Sequence, residues 1–389
     1  MKILKIIIIS LTIFSFRIYS FIPMFYGARS LSLGGSSSAF NYDINSTFLN
    51  ASLLSGFDFS ISGYQYDKNF TSYKGFGDNL SSILKNDLTK FEFLKINDKE
   101  KIYNKLKEVF ESKLGIYGYK SSVIGTAFKR YGIAVSFINA AVINPERNSI
   151  IEKEIGDISG KMLENLNLNF TGMSYTKYSI SYSLDFSKEL SVGVTIHYLS
   201  GKIANFSLPL QNNVFSANSS EKDYLEYGWK AAEKKFGKII ADFSIGTFIG
   251  SMFKVAVIIK NYRNPIIKLE NGEIELQQRT IGAISFRPDQ RTGIYLDVDL
   301  KKNNLYLNGK DVQPISLGVE RAVFNGRFFL RTGLMSDLTE KYLFGGKSRF
   351  MFGIGFGVKM DKVLIDAGLG IGGDGKVNSF AVSGFFIVK

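Results

Sequence analysis

Phe350–Asp361 reads FMFGIGFGVKMD. Phe350, Phe352, Ile354, Phe356, Val358 and Met360 fall on one face of an extended chain, while Gly353, Gly355, Gly357, Lys359 and Asp361 fall on the other. Val363–Gly372 repeats the pattern, with Val363, Ile365, Ala367, Leu369 and Ile371 opposite Asp366 and glycines. In Arg291–Lys301 (RTGIYLDVDLK), Ile294, Leu296, Val298 and Leu300 oppose Tyr295, Asp297, Asp299 and Lys301. A period of two held this long exceeds the usual strand of about 5–6 residues and suits a lipid-crossing strand of about 9–11. Such a strand turns its apolar face to lipid and its Gly/polar face to a lumen.

Fourteen segments of this kind can be marked: 56–66, 115–129, 131–143, 173–186, 190–207, 238–249, 251–262, 273–287, 291–301, 313–323, 326–336, 350–361, 362–372 and 377–388. The links between them alternate. Short ones fall at Arg130, Ser187–Glu189, Gly250, Pro288–Gln290, Phe324–Asn325 and Asp361–Lys362; long ones span 67–114, 144–172, 208–237, 263–272, 302–312 and 337–349. This rhythm predicts an all-β, transmembrane up-and-down β-barrel of about 14 antiparallel strands, with tight turns at one end and long loops at the other.

Composition narrows the chemistry. The chain has 389 residues, no Cys and a single His, which excludes disulfides, thiol nucleophiles and multi-His metal sites. His197 shares the lumen face with Gly193 and Thr195, and local sequence places neither Ser nor Asp beside it, so a structural role is expected and no catalytic residue is assigned. Gly370–Gly375 matches the dinucleotide fingerprint, but the strand VNSFAVSGFF follows where a helix is required. No cofactor or metal is expected. The formal charge of +13 comes without any dense basic run, so no nucleic-acid partner is expected either.

Residues 1–20 read as a signal peptide: Lys2 and Lys5 precede the apolar Ile6–Phe16, and Ser20 is a small residue suited to cleavage. The most apolar later stretch, Tyr131–Ile143, is too short to cross a membrane as a helix. Export without a membrane helix directs a barrel to the outer membrane of a diderm bacterium. Residues 21–55 form an N-terminal plug segment and 56–389 the barrel, with helical loop insertions at 78–114, 148–168 and 220–237. Two of these carry apolar stripes that include Ile102 and Phe110, and Leu225 and Trp229. Packing within the loops is the plain reading; roofing an apolar groove that captures a greasy ligand is the sharper one.

By parity Asp297, Asp299, Glu320, Arg331, Lys359 and Asp366 face the lumen. Both signs are present, so cross-strand pairing that holds the plug or bridges the lumen is expected, with a selectivity filter as the lesser reading and Arg29 as the plug's candidate partner for one carboxylate.

Residues 26–57 (YGARSLSLGGSSSAFNYDINSTFLNASLLSGF) resemble the opening of FadL-type outer-membrane transporters and their PorV-like and conjugal-transfer TraF-like relatives. The matching positions are Gly27, Ala28, Arg29, Gly34, Gly35, Asp43, Asn50 and Ala51; the proline of the family's Asn-Pro-Ala is missing. Residues 178–201, 260–265, 279–303 and 312–337 resemble the TraF-like branch. The resemblance implies a fourteen-strand barrel with a plug in its lumen. In the FadL branch such a barrel passively takes up long-chain fatty acids or other hydrophobic molecules. In the PorV-like branch it partners secreted proteins, so a secretion- or conjugation-accessory barrel is the alternative.

Overall fold

The computed structural model describes residues 27–39, 49–56, 60–72, 97–98, 100–102, 104–105, 116–145, 167–209, 230–263, 266–269, 272–306, 310–339, 350–372, 375 and 377–388. Residues 1–20, Asp43, Phe110, Leu225, Trp229 and most of the three loop-helix ranges lie outside them. Helical residues do occur at 97–98, 100–102 and 104–105, and at 230–232.

The first described elements are a short helix, α1 (Gly27–Ser32), and a 3-10 turn, Ala51–Gly56. Eighteen strands follow among the described residues: β1 (Ser60–Ser72), β2 (Ile116–Phe128), β3 (Tyr131–Pro145), β4 (Asn167–Asp185), β5 (Leu190–Pro209), β6 (Lys234–Ile249), β7 (Phe253–Lys260), β8 (Ile266–Leu269), β9 (Gly272–Glu275), β10 (Arg279–Phe286), β11 (Thr292–Asp299), β12 (Asn303–Tyr306), β13 (Lys310–Val312), β14 (Pro314–Val323), β15 (Phe328–Asp337), β16 (Phe350–Met360), β17 (Val363–Gly372) and β18 (Val377–Val388). Fourteen of them close a barrel in sequence order, sealed by antiparallel pairing of β1 with β18. The other four form hairpins, β8–β9 and β12–β13, on links at the long-loop end.

The barrel is inside-out relative to a soluble protein. On β16, Phe352, Ile354 and Phe356 are each more than half exposed on the outer wall, while Met351 and Gly353 are buried on the inner one. Serines and ionisable side chains dominate the buried polar set. An apolar exterior around a polar interior is the polarity that hydrocarbon surroundings require, and closure satisfies every strand edge without water.

Tight turns at one end keep the hairpins short. Lys129, Phe324, Asn325 and Asp361 adopt positive φ of 48°, 49°, 56° and 47°, the conformation that matches the twist of paired strands.

Some boundaries differ from the sequence reading. Lys234 already belongs to β6 and pairs with Ile203, so the end of the 220–237 helix range is strand. Asn167 and Leu168, at the end of the 148–168 range, open β4. The ladder continues beyond the apolar band, where alternation no longer marks it. The segment 273–287 was too long: 272–275 folds back on 266–269, and the barrel strand is Arg279–Phe286.

Candidate functional site

The described part of the N-terminal segment sits against the inner wall at two places. The first is α1, which ends in a Schellman motif. Gly35 N–H donates to Ser30 O (2.7 Å) and Gly34 N–H to Leu31 O (3.0 Å), with Gly34 at φ 65°. This gives the Gly-Gly step a structural cause. The helix end lies so close to β14, β15 and β16 that a Cβ on Gly318, Gly333 or Gly353 would overlap its backbone. The wall's glycines are therefore a seat for the segment, not merely a small-residue surface.

The second place is the 3-10 turn. Asn50 Oδ1 accepts from Ser52 N–H (3.2 Å) and Ser52 O–H (2.6 Å), while its amide donates to Ser38 O (2.7 Å). Asn50 thus caps the turn with Ala51, not proline, following it. The Ala51–Ser52 backbone rests on Gly193 of β5, and Ser52 N–H also reaches Ser244 Oγ of β6 at 3.0 Å. Asp43 is not among the described residues.

Charge locks the first seat. Arg29 Nη2 donates to Glu320 Oε1 (2.9 Å) and Arg331 Nε to Glu320 Oε2 (2.6 Å); Arg331 Nη1 reaches Asp366 Oδ1 (2.6 Å). Tyr295 O–H also donates to Glu320, at 3.3 Å. Asp297 Oδ2 accepts the backbone N–H groups of Ser37 and Ser38 at 3.2 and 3.0 Å. Asp299 binds Arg279 through two bonds of 2.7 and 2.9 Å. Lys359 has inward parity but stands exposed at the tight-turn end of β16, outside the network.

A second polar band crosses β4–β7. His197 Nε2 lies 2.9 Å from Asp242 Oδ2 and its Nδ1 lies 2.8 Å from Ser179 Oγ. Lys260 Nζ donates to Asp242 Oδ2 (2.9 Å) and Asn261 N–H to Oδ1 (2.8 Å). The sheet therefore supplies the Ser and Asp neighbours that local sequence did not. They do not form an open nucleophilic triad: the His197 ring is 1% exposed, and Asp242 also bonds Lys260 and Asn261. The tautomer that satisfies both neighbours donates from Nε2 to Asp242 and accepts at Nδ1 from Ser179. Asp242, Lys260 and Arg279 were missed in the sequence; their inward parity was the available signal.

No protein-family model matches the chain, and no curated protein matches it in sequence. Among solved structures it resembles the CymD monoaromatic hydrocarbon channel at 11% identity, with a TM-score of 0.53 over 95% of this chain and 99% of that one. The TodX deltaS2S3 mutant monoaromatic hydrocarbon channel is similar at 10% identity, with a TM-score of 0.52 over 94% and 99%. The chain has the fold of these channels.

Within this channel fold the inner wall changes character along its length. On β4, Lys177 and Ser179 give way toward the long loops to Tyr175 and Met173. On β5, His197 gives way to Leu199 and Ile203; on β6, Asp242 gives way to Ile240 and Phe236, with Lys238 between them. Met173 and Ile203 belong to a buried apolar cluster, against which Tyr175, Phe236 and Leu276 pack. Ile102, from the link after β1, is also buried, at 5% exposure.

Proposed function

We propose that this chain is a FadL-type outer-membrane channel that passively admits hydrophobic molecules, long-chain fatty acids among them, without covalent chemistry. The observation that carries this reading is the change along the inner wall of β4–β6, from mostly apolar near the long loops to charged at mid-height. An amphiphile entering from the loop end meets Met173, Tyr175, Ile203 and Phe236 first, and its polar head then reaches the Lys177, His197, Asp242 and Lys260 level. The fold shared with hydrocarbon channels supports the same class of cargo.

In this reading 21–55 acts as the plug, and Ile102, Phe110, Leu225 and Trp229 serve capture at the loops. Solute advances when the plug shifts on its seat.

Uptake of a fluorescent fatty acid into liposomes carrying the purified protein tests the proposal. Uptake above an unrelated barrel, and lipid co-purifying by mass spectrometry, are the expected results. No uptake and no bound lipid, with a secretion or envelope complex retained instead, would replace it with the accessory-barrel reading.

A further inference from the structure

The tight-turn mouth of the barrel sets like charges against each other on its inner face. Phe328 faces Val358, and Lys359 N–H donates to Arg327 O at 2.7 Å, so Arg327 and Lys359 stand directly opposite each other. Both share the inward parity of Arg331 and Gly357. One strand on, Lys359 pairs with Leu364; Lys362 lies two residues before Leu364, diagonal to Lys359 on the same face. All three cations are exposed, and none forms an ion pair with a carboxylate among the described residues. Asp361, in the intervening turn, is the one exposed carboxylate described in this arc. Like charges directly opposed across a ladder repel, and an incoming anion relieves the repulsion.

Apolar side chains continue the same face deeper into the lumen. Phe329, Leu364 and Ile387 have inward parity and are partly exposed. Ile387 N–H donates to Lys362 O at 2.7 Å, which sets Ile387 beside Lys362. Leu364 and Ile387 pack against a buried cluster that joins Ile61 and Phe385 of the wall to Leu49 and Leu54 of the N-terminal segment. The apolar strip therefore runs from the cations at the mouth to the second seat of that segment.

We infer that the tight-turn mouth holds an exit site for an anionic amphiphile, in which Arg327, Lys359 and Lys362 take the head and Phe329, Leu364 and Ile387 the tail. Bilayer headgroups are not the occupant, because the cations and the lipid-facing side chains lie on opposite faces of each strand. The apolar strip favours an amphiphile over a small inorganic anion, which would leave the strip bare. A soluble acidic protein would have to enter the mouth to reach cations that face the lumen. The inference rests on the proposed channel function and adds to it a headgroup preference at the far end of the route.

The test uses the full chain in phosphatidylcholine liposomes, in mildly alkaline buffer, with dodecanoate carrying a photoreactive diazirine on its tail and with the matching dodecanol. Residue-resolved mass spectrometry compares labelling of the inner Phe329, Leu364 and Ile387 with that of Phe328, Ile365 and Phe386, which are each more than 40% exposed on the outer wall. The ratio cancels simple partition into the bilayer. It should be about fivefold higher for the carboxylate than for the alcohol, the size of one strong or two average exposed ion contacts. Added salt should shrink the difference. The combined Arg327→Gln, Lys359→Gln and Lys362→Gln variant should abolish it, while Arg327→Lys, Lys359→Arg and Lys362→Arg together should keep it. Heat-modifiable gel mobility shows that both barrels close. Lys188→Gln, in the β4–β5 turn, should change nothing. Equal ratios for the two probes, or a difference that survives the loss of all three charges, overturns the inference. So does dodecanoate uptake without inner labelling, a result that leaves the channel reading standing. Soluble polyglutamate held at the mouth where dodecanoate is not would overturn it too, by assigning the cations to an acidic protein. Neither uptake nor inner labelling with either probe would bring down the channel reading itself, and this inference with it.

Discussion

Arg331 on β15 and Asp366 on β17 form a 2.6 Å ion pair across an intervening strand. The strand between them, β16, carries Gly357 at the crossing point, where a Cβ would collide with both partners. The absent side chain thus allows the alternating series Arg29–Glu320–Arg331–Asp366 to run from the N-terminal segment across the wall.

Gly357→Val should therefore act electrostatically as well as sterically. We expect urea stability in lipid to fall by about 3 kcal/mol, the cost of breaking a buried pair. Combining it with Arg331→Gln should add little, because both changes remove the same bridge. Additive losses would show that the two residues act separately.

Arg29→Gln should loosen the inner segment while leaving the barrel closed. Glu320 keeps Arg331 and Tyr295 but loses its bond from Arg29 of the N-terminal segment. Protease cleavage within 27–39 should rise by roughly a hundredfold, from about 3 kcal/mol of lost pairing. Unchanged protection would mean that the glycine seats alone hold the segment.

Asp242→Asn should be more damaging than Ser179→Ala. The first leaves Lys260 and His197 facing a neutral amide inside the wall, at a cost of about 3 kcal/mol. The second removes a single neutral hydrogen bond, at about 1 kcal/mol. Unfolding in urea reads both; equal losses would contradict the assigned ladder. Fatty-acid uptake by Ser179→Ala should stay at the wild-type level, since the hydroxyl serves no reaction.

Ile354→Arg tests which side of the wall meets hydrocarbon. It should slow insertion into liposomes and cost about 2–4 kcal/mol, as a midplane cation on a barrel exterior does. Lysine at Gly250, in an open turn with nothing near its Cβ position, should fold without that penalty apart from the strain of its φ of 64°. A tolerated Ile354→Arg would remove the lipid-facing assignment of β16.

The sequence disclosed the wall better than its contents. Alternation in Phe350–Met360 and Thr292–Asp299 exists because lipid and lumen impose opposite demands on adjacent residues, so the pattern survives without any alignment. That signal stops where strands leave hydrocarbon, which is why the starts at Asn167 and Lys234 and the hairpin Ile266–Glu275 were misjudged. Parity placed Glu320, Arg331 and Asp366 inward. Their partners depend on cross-strand register and on Gly357, neither of which a single strand reveals. His197 was visible, but Ser179 and Asp242 come from two other strands. Lys359 shows the opposite limit: parity sets direction, whereas height along the barrel decides burial.

The pairing of β1 with β18 has a consequence for assembly. Ser60 faces Val388 and Asn69 faces Ser379, whereas each other wall strand pairs with the next wall strand along the chain. Thirteen seams can thus form as successive neighbours arrive, and one must wait for the final strand. Until it arrives the sheet has two raw edges, each able to recruit another chain. β18 therefore works as a latch: its loss would convert a barrel that seals itself into a sheet with nowhere to stop.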